Sequence, residues 1–531
     1  MYVNNEENID MSYWGTKIAL VVSVLLLSGC ASVPTASDLL TKIDDKQGAV
    51  VMMAGGGRLA MARLNWTGIE VKSEKTEEKF SIRNVAPVGF ALDPKPPVFI
   101  GQLPPGSYKI DRLAGTFTGV LTDWMLNNVS SQSVEENLGS FRVNAGQITD
   151  LGTLLVYTPI EEANISLAKG ASLMRMTRVD SPTELKGILR KHAPDAPPSF
   201  ASEPVGWSNP APTNRSLVEQ IKTNALATGN TFIAKDGTYW VGAQLGQVYK
   251  RTPSGEWSSF DTGFNMPVTS VISLQDGSIL AGLDGGIIAV SQDGKNWREI
   301  SLPDGGLVSA LGYLSDGRVV AVSLNKELKV FASQCCEKLE WELLHTAMHT
   351  KPPYLLSAHI AEDEVVLQWL KFDPFAFVQP VVVTKYSAAT GKWDESIEKT
   401  ATKPIQYALD GKTRCSDDIY SVGNDKPWIE VDQPGSRMRC RTGQDFYSHK
   451  ILSIGWSSAT LALFKSENSG RTWTRIGDKL PEYVITVEPL QEPKHLLARS
   501  SDGRIYVSKD DGLSWNLEKE VNDAYYPWIS R

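Results

Sequence analysis

From about residue 230 the chain repeats itself every 40 residues or so, and this period constrains the fold more than any other feature. "FIAKDGTYWVGAQLGQVYKRTPSGEW" and "VISLQDGSILAGLDGGIIAVSQDGKNW" share one order: apolar strand, Asp-Gly turn, strand ending in Gly, short turn, strand, polar Gly turn, tryptophan. "LGYLSDGRVVAVSLNKELKVFASQCCEKLEW" follows it with a degenerate last turn, and "HLLARSSDGRIYVSKDDGLSW" reads as a clean copy. The closing tryptophans Trp257, Trp297, Trp341, Trp393, Trp473 and Trp515 are spaced by 40, 44, 52, 80 and 42 residues. The 80-residue gap has room for one more unit, within "IQYALDGKTRCSDDIYSVGNDKPWIEV", ended by Trp428. A unit of four short strands cannot cover both of its own faces. Such repeats pack face to face and close into a ring with little free edge. The expected fold is mostly β, with a propeller of about seven blades over residues 229–531; six or eight stay open.

The turns before the tryptophans resemble the Asp-box, or BNR repeat, of the sialidase-like superfamily: Ser/Thr, any, Asp, any, Gly, any, Thr/Ser, Trp. Ser508, Asp510, Gly512, Ser514 and Trp515 fit every fixed position. Ser466, Asn468, Gly470, Thr472 and Trp473 fit with Asn for Asp, and Ser291, Asp293, Gly294 and Trp297 form a loop one residue short. A turn aspartate accepts hydrogen bonds from its own loop. The glycine supplies a positive φ, and the tryptophan buries a large apolar face. These residues are therefore expected to staple hairpins without any substrate. The superfamily includes glycosidases, but also receptor and assembly propellers. A sialidase would add an arginine triad, a tyrosine nucleophile with its glutamate, an aspartate acid and a Phe/Tyr-Arg-Ile-Pro phrase, which does not occur here. Arg318, Arg439 and Arg504 are present, but sequence cannot gather them at an axis. Asp236, Asp276, Asp316 and Asp502 all sit in Asp-Gly turns. The paired carboxylates of a glycosidase are not visible. No residue is assigned a catalytic role.

Residues 46–193 read as a β domain ending in a helix. "AVVMMA", "RLAMARLNW", "GIEVKS", "KFSIRNV" and "VFIGQL" are short apolar or alternating runs between Gly, Asn and Pro clusters. In "GQLPPGSYKIDRL" a Pro-Gly turn precedes a strand, and in "FRVNAGQITDLGTLLVY" Asn144-Ala145-Gly146 is placed as a hairpin turn. Together these phrases resemble the prealbumin-like or carboxypeptidase-regulatory-like β-sandwiches of exported bacterial proteins, which implies a binding or supporting role. In "SPTELKGILRKHAPDAPP", Ser181, Pro182 and Glu184 start a helix with Leu185, Ile188 and Leu189 inward. Residues 194–228 read as a Pro-rich linker followed by a short helix, with Leu217, Ile221 and Leu226 inward.

The leader assigns an address. "KIALVVSVLLLSGC" offers Lys17, about ten apolar residues and Ser28-Gly29-Cys30, too short a run to span a bilayer. Leu27-Ser28-Gly29-Cys30 resembles a bacterial lipobox, which implies residues 1–29 as a signal peptide, lipidation of Cys30, and 30–45 as a tether. Glu6, Glu7 and Asp10 do not suit a leader, so translation is expected to start at Met11. Ala31 and Ser32 follow the cysteine, without the aspartate of the retention pattern. The resemblance therefore implies the outer membrane, on either face. Removing residues 1–29 changes the formal charge of −8 to −6, which excludes a broad basic nucleic-acid surface.

Cys415 and Cys440, 25 residues apart, could close a disulfide, whereas the adjacent Cys335 and Cys336 leave two thiols, a strained pair and cross-pairing open. With six His and no ligand spacing, no metal or cofactor is expected. Trp369, Phe372, Phe375 and Phe377 cluster around Asp373-Pro374 in one lengthened blade, a candidate partner patch if the tip is exposed. The expectation is a lipid-anchored envelope protein that binds a protein or polysaccharide through propeller loops. A glycosidase or polysaccharide lyase, and an assembly factor for an envelope complex, are the alternatives.

Overall fold

The computed structural model describes residues 36–520, except 57–61, 86–97, 131–137, 158–174, 180–186, 194–205, 209–214, 348–353, 372–378 and gaps of one to four residues. The described residues are almost wholly β, interrupted by short helices such as α1 (Ala36–Thr41) and α2 (Arg215–Thr223). No described helix is long and apolar enough to cross a membrane.

The N-terminal domain holds β1 (Gly48–Gly56), β2 (Ala62–Ser73), β3 (Lys79–Asn84), β4 (Val98–Leu103), β5 (Gly106–Gly119), β6 (Thr122–Ser130), β7 (Ser140–Val143), β8 (Ile148–Tyr157) and β9 (Arg175–Val179). In hydrogen-bond terms they form one sheet, ordered β6-β5-β2-β3-β4-β1-β8-β9, with β7 paired to β5. β1 is a central strand, antiparallel to β4 and parallel to β8. It is apolar throughout because both of its faces are buried. Val50, Met52 and Ala54 pack with Ile69, Phe99 and Phe141. Ala49, Val51 and Met53 share a cluster with Leu40 of α1 and with propeller residues Trp240, Phe264 and Ile287.

The turn at residues 144–146 forms, with Gly146 at φ 68°, but it does not close a hairpin ladder. β7 pairs with β5, whereas β8 pairs with β1 and β9. A stretch of the expected linker fills the slot between them. Arg142 N–H donates to Gly206 O (3.0 Å), Gly206 N–H to Asp150 O (2.8 Å) and Ser208 N–H to Ser140 O (2.7 Å). The Trp207 indole N–H reaches Leu151 O at 2.9 Å, and its ring meets Phe141 edge-on. A side chain at Gly206 would strike Thr149. This part of the linker is therefore hydrogen-bonded into the domain it leaves, through an isolated bridge of Trp207 to Phe141, which proline content alone could not reveal.

The rest is a ring of seven four-stranded antiparallel sheets: blades 1 (231–261), 2 (270–301), 3 (307–347), 4 (354–398), 5 (406–430), 6 (437–476) and 7 (484–519). From blade 1 through blade 7 the first strands of successive blades meet and so line the axis. Strand direction alternates, so first-to-second and third-to-fourth turns lie at one end of the ring. Second-to-third and fourth-to-first loops lie at the other. The turns of Asp236, Asp276, Asp316 and Asp410 are first-to-second turns. The turn at 501–504 is not: it joins the second and third strands of blade 7, whose first strand, Val484–Pro489, lies upstream of the quoted repeat. Asp502 itself lies outside the described residues. Either reversal needs a glycine at positive φ, here Gly503 at 89°, so local sequence does not separate them.

Each blade is built from consecutive strands, so side chains close the ring. The Arg251 guanidinium of blade 1 donates to Glu518 of blade 7 through Nε (2.7 Å) and Nη2 (2.9 Å). The Trp257 indole N–H meets the same carboxylate at 3.1 Å. Beside them Glu488 accepts from the Tyr239 hydroxyl (3.0 Å) and from Arg499 (2.7 Å). A disulfide joins Cys415 in the second strand of blade 5 to Cys440 in the first strand of blade 6. Cys335 is also disulfide-bonded; Cys336 lies outside the described residues.

Candidate binding face and axis of the propeller

At the Asp-Gly end the acids are used locally. Asp510 accepts from Ser508 Oγ (2.7 Å), from Ser514 N–H (2.9 Å) and from Ser514 Oγ (2.6 Å). Partial burial pushes its pKa up, but the bonds from Ser514 and Ser508 outweigh this and hold it below the ordinary value. Asp293 accepts from the Asn296 and Lys295 N–H groups, both at 2.8 Å, and these lower its pKa strongly. Asn468 takes the same place, accepting from Thr472 N–H at 3.0 Å. Asp236, Asp276, Asp316 and Asp410 each accept from a backbone N–H two residues on. Side chains bound this way gain nothing from a substrate. Asp511, the second acid of the last turn, has a different role: it ties blade 7 to blade 6 through the Tyr447 hydroxyl (2.8 Å) and Lys465 (3.0 Å).

The loop glycines also act between blades. Gly294, Gly470 and Gly512 have φ of 71°, 80° and 92°. A Cβ on each would run into Phe260, Val431 and Leu463 respectively, each in the preceding blade. Trp473 and Trp515 pack into the clusters that join blades 5 and 6, and 6 and 7. Gly512→Ala is accordingly expected to cost about 2–3 kcal/mol, combining left-handed strain with overpacking. Thermal unfolding against a Lys509→Ala control measures it, and equal midpoints would refute the inter-blade role.

The opposite end carries the N-terminal domain over blades 1 and 2. Gly55 lies against Leu245 and the Asn265 carbonyl, and Gly187 against Gly285 and Ile287. Lys191 pairs with Asp284, both nearly buried, and Lys222 of α2 meets Asp261 at 3.1 Å. The second and third strands of blade 4 (Glu364–Leu370, Val381–Ser387) and of blade 6 (Phe446–Ile454, Ala459–Ser466) are longer than those of blade 5, which reverse over residues 417–418. Phe372, Phe375 and Phe377 fall in the blade 4 hairpin and outside the described residues. Trp369 does not join an exposed patch. It shares the inter-blade face of its strand with Val365 and Leu367, is 0% exposed, and donates to Thr384 Oγ1 at 3.0 Å. Strand alternation places it there, and the sequence phrase alone did not show which face was inward.

The axis is poor in charge. The innermost strands of blades 1 to 5 are TFI, SVIS, LVSALGY, YLLSAHIA and QY, without Asp, Glu, Lys or Arg. Blade 6 adds Arg437 and Arg439, and blade 7 adds Glu488, the single carboxylate on these strands. Glu488 is already held by Arg499 and Tyr239. Tyr239 is 0% exposed and its pKa is raised well above normal by burial, the opposite of what a nucleophile needs. Arg318 stands on a second strand and donates to Asp316 and to Tyr386 of blade 4, Arg439 stands on an innermost strand, and Arg504 lies ahead of a third strand, so they form no triad. Among the described residues no three His, Cys, Asp or Glu side chains converge as a metal site.

Sequence reasoning missed one axial pair. His359 of blade 4 stacks on Tyr407 of blade 5, ring centroids 3.5 Å apart. Burial lowers the His359 pKa to about 4, opposed only by Glu364. A histidine kept neutral when folded stabilises the fold fully above its unfolded pKa of about 6.5 and loses that contribution as pH falls through about 4. Lowering pH across this window is expected to remove about 2–3 kcal/mol, and His359→Phe to remove most of that dependence. Denaturant titrations at several pH values measure it; an unchanged pH profile in the variant refutes the assignment.

No family model and no curated protein matches the sequence. Solved structures match in fold. The tricorn protease aligns with a TM-score of 0.40 and 10% identity, over 57% of this chain and 35% of that one. An ulvan lyase of a new polysaccharide lyase family aligns at 0.39 and 11%, over 55% and 93%. The Cps50 (Swd1) propeller domain of Myceliophteria thermophila aligns at 0.38 and 14%, over 52% and 96%. The likeness is one of fold. This chain spans about a third of the tricorn protease chain it matches.

Proposed function

We propose that the protein is a cell-envelope binding or scaffolding protein, lipid-anchored at Cys30 to a bacterial outer membrane. It would hold a protein or polysaccharide on the propeller end formed by the second-to-third-strand loops of blades 3 to 7. The observation that carries this reading is the axis, whose innermost strands supply one carboxylate, Glu488, already bound by Arg499 and Tyr239. Most glycosidases hydrolyse their substrate with a pair of acting carboxylates. The loops of Asp293, Asn468 and Asp510 are then Asp-boxes serving the ring alone. The binding reading is tested by crosslinking in intact cells followed by pull-down. Recovery of one defined envelope protein or glycan supports it, and a membrane complex that fails to assemble without the protein would make it an assembly factor. Turnover of glycans by purified protein, abolished by changing one axial side chain, would sink it.

A second reading, a polysaccharide lyase, is favoured by one feature, the neutral His359 beside Tyr407 on innermost strands. Abstraction of a proton next to a uronate carboxylate needs a neutral base of this kind. Unsaturated products from uronate-containing polysaccharides, lost in His359→Phe, would establish it.

A further inference from the structure

We infer that the propeller has one weak seam, between blades 4 and 5, and that the His359–Tyr407 stack is a latch across it which acid releases. A ring of seven blades has seven seams, and apolar packing is not shared evenly among them. Six are filled by a buried apolar cluster to which the blades on both sides contribute. Between blades 3 and 4, for example, Val320 and Val330 share a cluster with Leu367 and Trp369. Among the described residues no such cluster joins blades 4 and 5. The nearest one, Ala401, Ile405 and Ile419, draws only on the connecting loop and on blade 5. Water removed from apolar surface is what holds neighbouring blades together, so the seam without that burial is the one that opens at least cost.

Polar groups take the place of the missing cluster. Gln368 Nε2 on the second strand of blade 4 donates to Ala401 O (2.6 Å) and Lys403 O (2.9 Å), and its Oε1 accepts from Ile405 N–H at 2.9 Å. The Trp428 indole of blade 5 reaches Glu398 of blade 4 at 3.4 Å. The His359 and Tyr407 rings lie almost parallel, 7° apart, and join the two innermost strands. The charged groups beside them are Glu364, paired with Lys385 at 3.3 Å on blade 4, and Arg414, opposite Tyr407 on blade 5. Burial outweighs Glu364 and keeps the His359 ring neutral while the seam is closed. Once water enters, the ring takes up a proton near its ordinary value of about 6.5. The closed seam is therefore fully favoured above about 6.5, and the preference is lost as pH falls toward about 4. His345 also stacks on a partner in the next blade, Trp393, and is likewise kept neutral by burial. Its seam has the apolar cluster of blades 3 and 4 to hold it, so the seam of blades 4 and 5 parts first. Opening there would divide the loop end formed by blades 3 to 7.

The test is amide hydrogen exchange of the full chain with Cys415–Cys440 oxidised, read at pH 7 and at about pH 4.5 and corrected for the intrinsic pH dependence of exchange. Exchange is expected to rise roughly 10- to 100-fold in residues 354–361 of blade 4 and 406–416 of blade 5, while blades 1 and 2 keep their protection. His359→Phe keeps a ring in the stack but cannot take a proton, and should abolish the rise. His359→Gln, also neutral at every pH, makes the same measurement if the phenylalanine variant does not fold. His345→Phe should leave the rise at blades 4 and 5 unchanged. A rise that starts at another seam, spreads evenly around the ring or persists in the His359 variants overturns the latch.

Discussion

Arg251→Met is expected to lower unfolding free energy by about 3–5 kcal/mol, because it removes one partner of a desolvated ion pair and strands the other. Arg251 is 1% exposed, and Glu518 receives two of its N–H groups as well as the Trp257 indole. The effect should exceed that of a similar pair inside one blade. No strand of blade 7 comes from the N-terminal end of the propeller, so the junction with blade 1 has no shared hydrogen-bond ladder. It depends on these groups and on the packing of Tyr239, Val241, Leu497 and Val507. Replacing both partners, Arg251→Met with Glu518→Leu, removes the stranded charge and should recover more than half of the loss. Denaturant unfolding of the three variants measures it. A single variant within about 1 kcal/mol of wild type would show that apolar packing alone holds the ring closed.

Reduction of Cys415–Cys440 is expected to destabilise the propeller by about 3–4 kcal/mol, the loop-closure contribution of a cross-link spanning 25 residues. Its site explains the need for it. Blade 5 has first and last strands of two residues each, Gln406–Tyr407 and Ile429–Glu430, and so the fewest ladder bonds to its own sheet. The cross-link fixes its second strand to blade 6. Both cysteines are buried, 1% and 6% exposed, so reduction should follow partial unfolding. Unfolding of the double Cys→Ala variant should begin at lower denaturant, with amide exchange rising first in residues 406–430. Coincident transitions would refute the role.

The leucine- and valine-rich strands, the Asp-Gly turns and the tryptophan spacing made the propeller legible, because a repeat imposes the same local chemistry at every turn. Cys415 and Cys440 were visible as a candidate pair for the same reason of isolation: few other partners existed. The sequence left open whether Trp369 faces solvent or packs within the propeller, since one residue of register decides whether an aromatic faces a neighbouring blade or solvent. The sequence does not separate the role of Asp511 from that of Asp510, because the partners of Asp511, Tyr447 and Lys465, lie 64 and 46 residues away. The role of Gly206–Ser208 was hidden by the prolines around it. His359 and Tyr407 carried no sequence signal, being single residues on short strands of different blades.

By itself the sequence determined the period, the turn chemistry and the strand content of this protein, all set by interactions within a few residues. Tertiary structure alone decided which turn end each acid occupies, how the first and last blades join, and where the N-terminal sheet sits. Those depend on residues far apart in the chain, such as Arg251 and Glu518, 267 positions apart, whose attraction exists only once the ring has brought them together and removed water from between them.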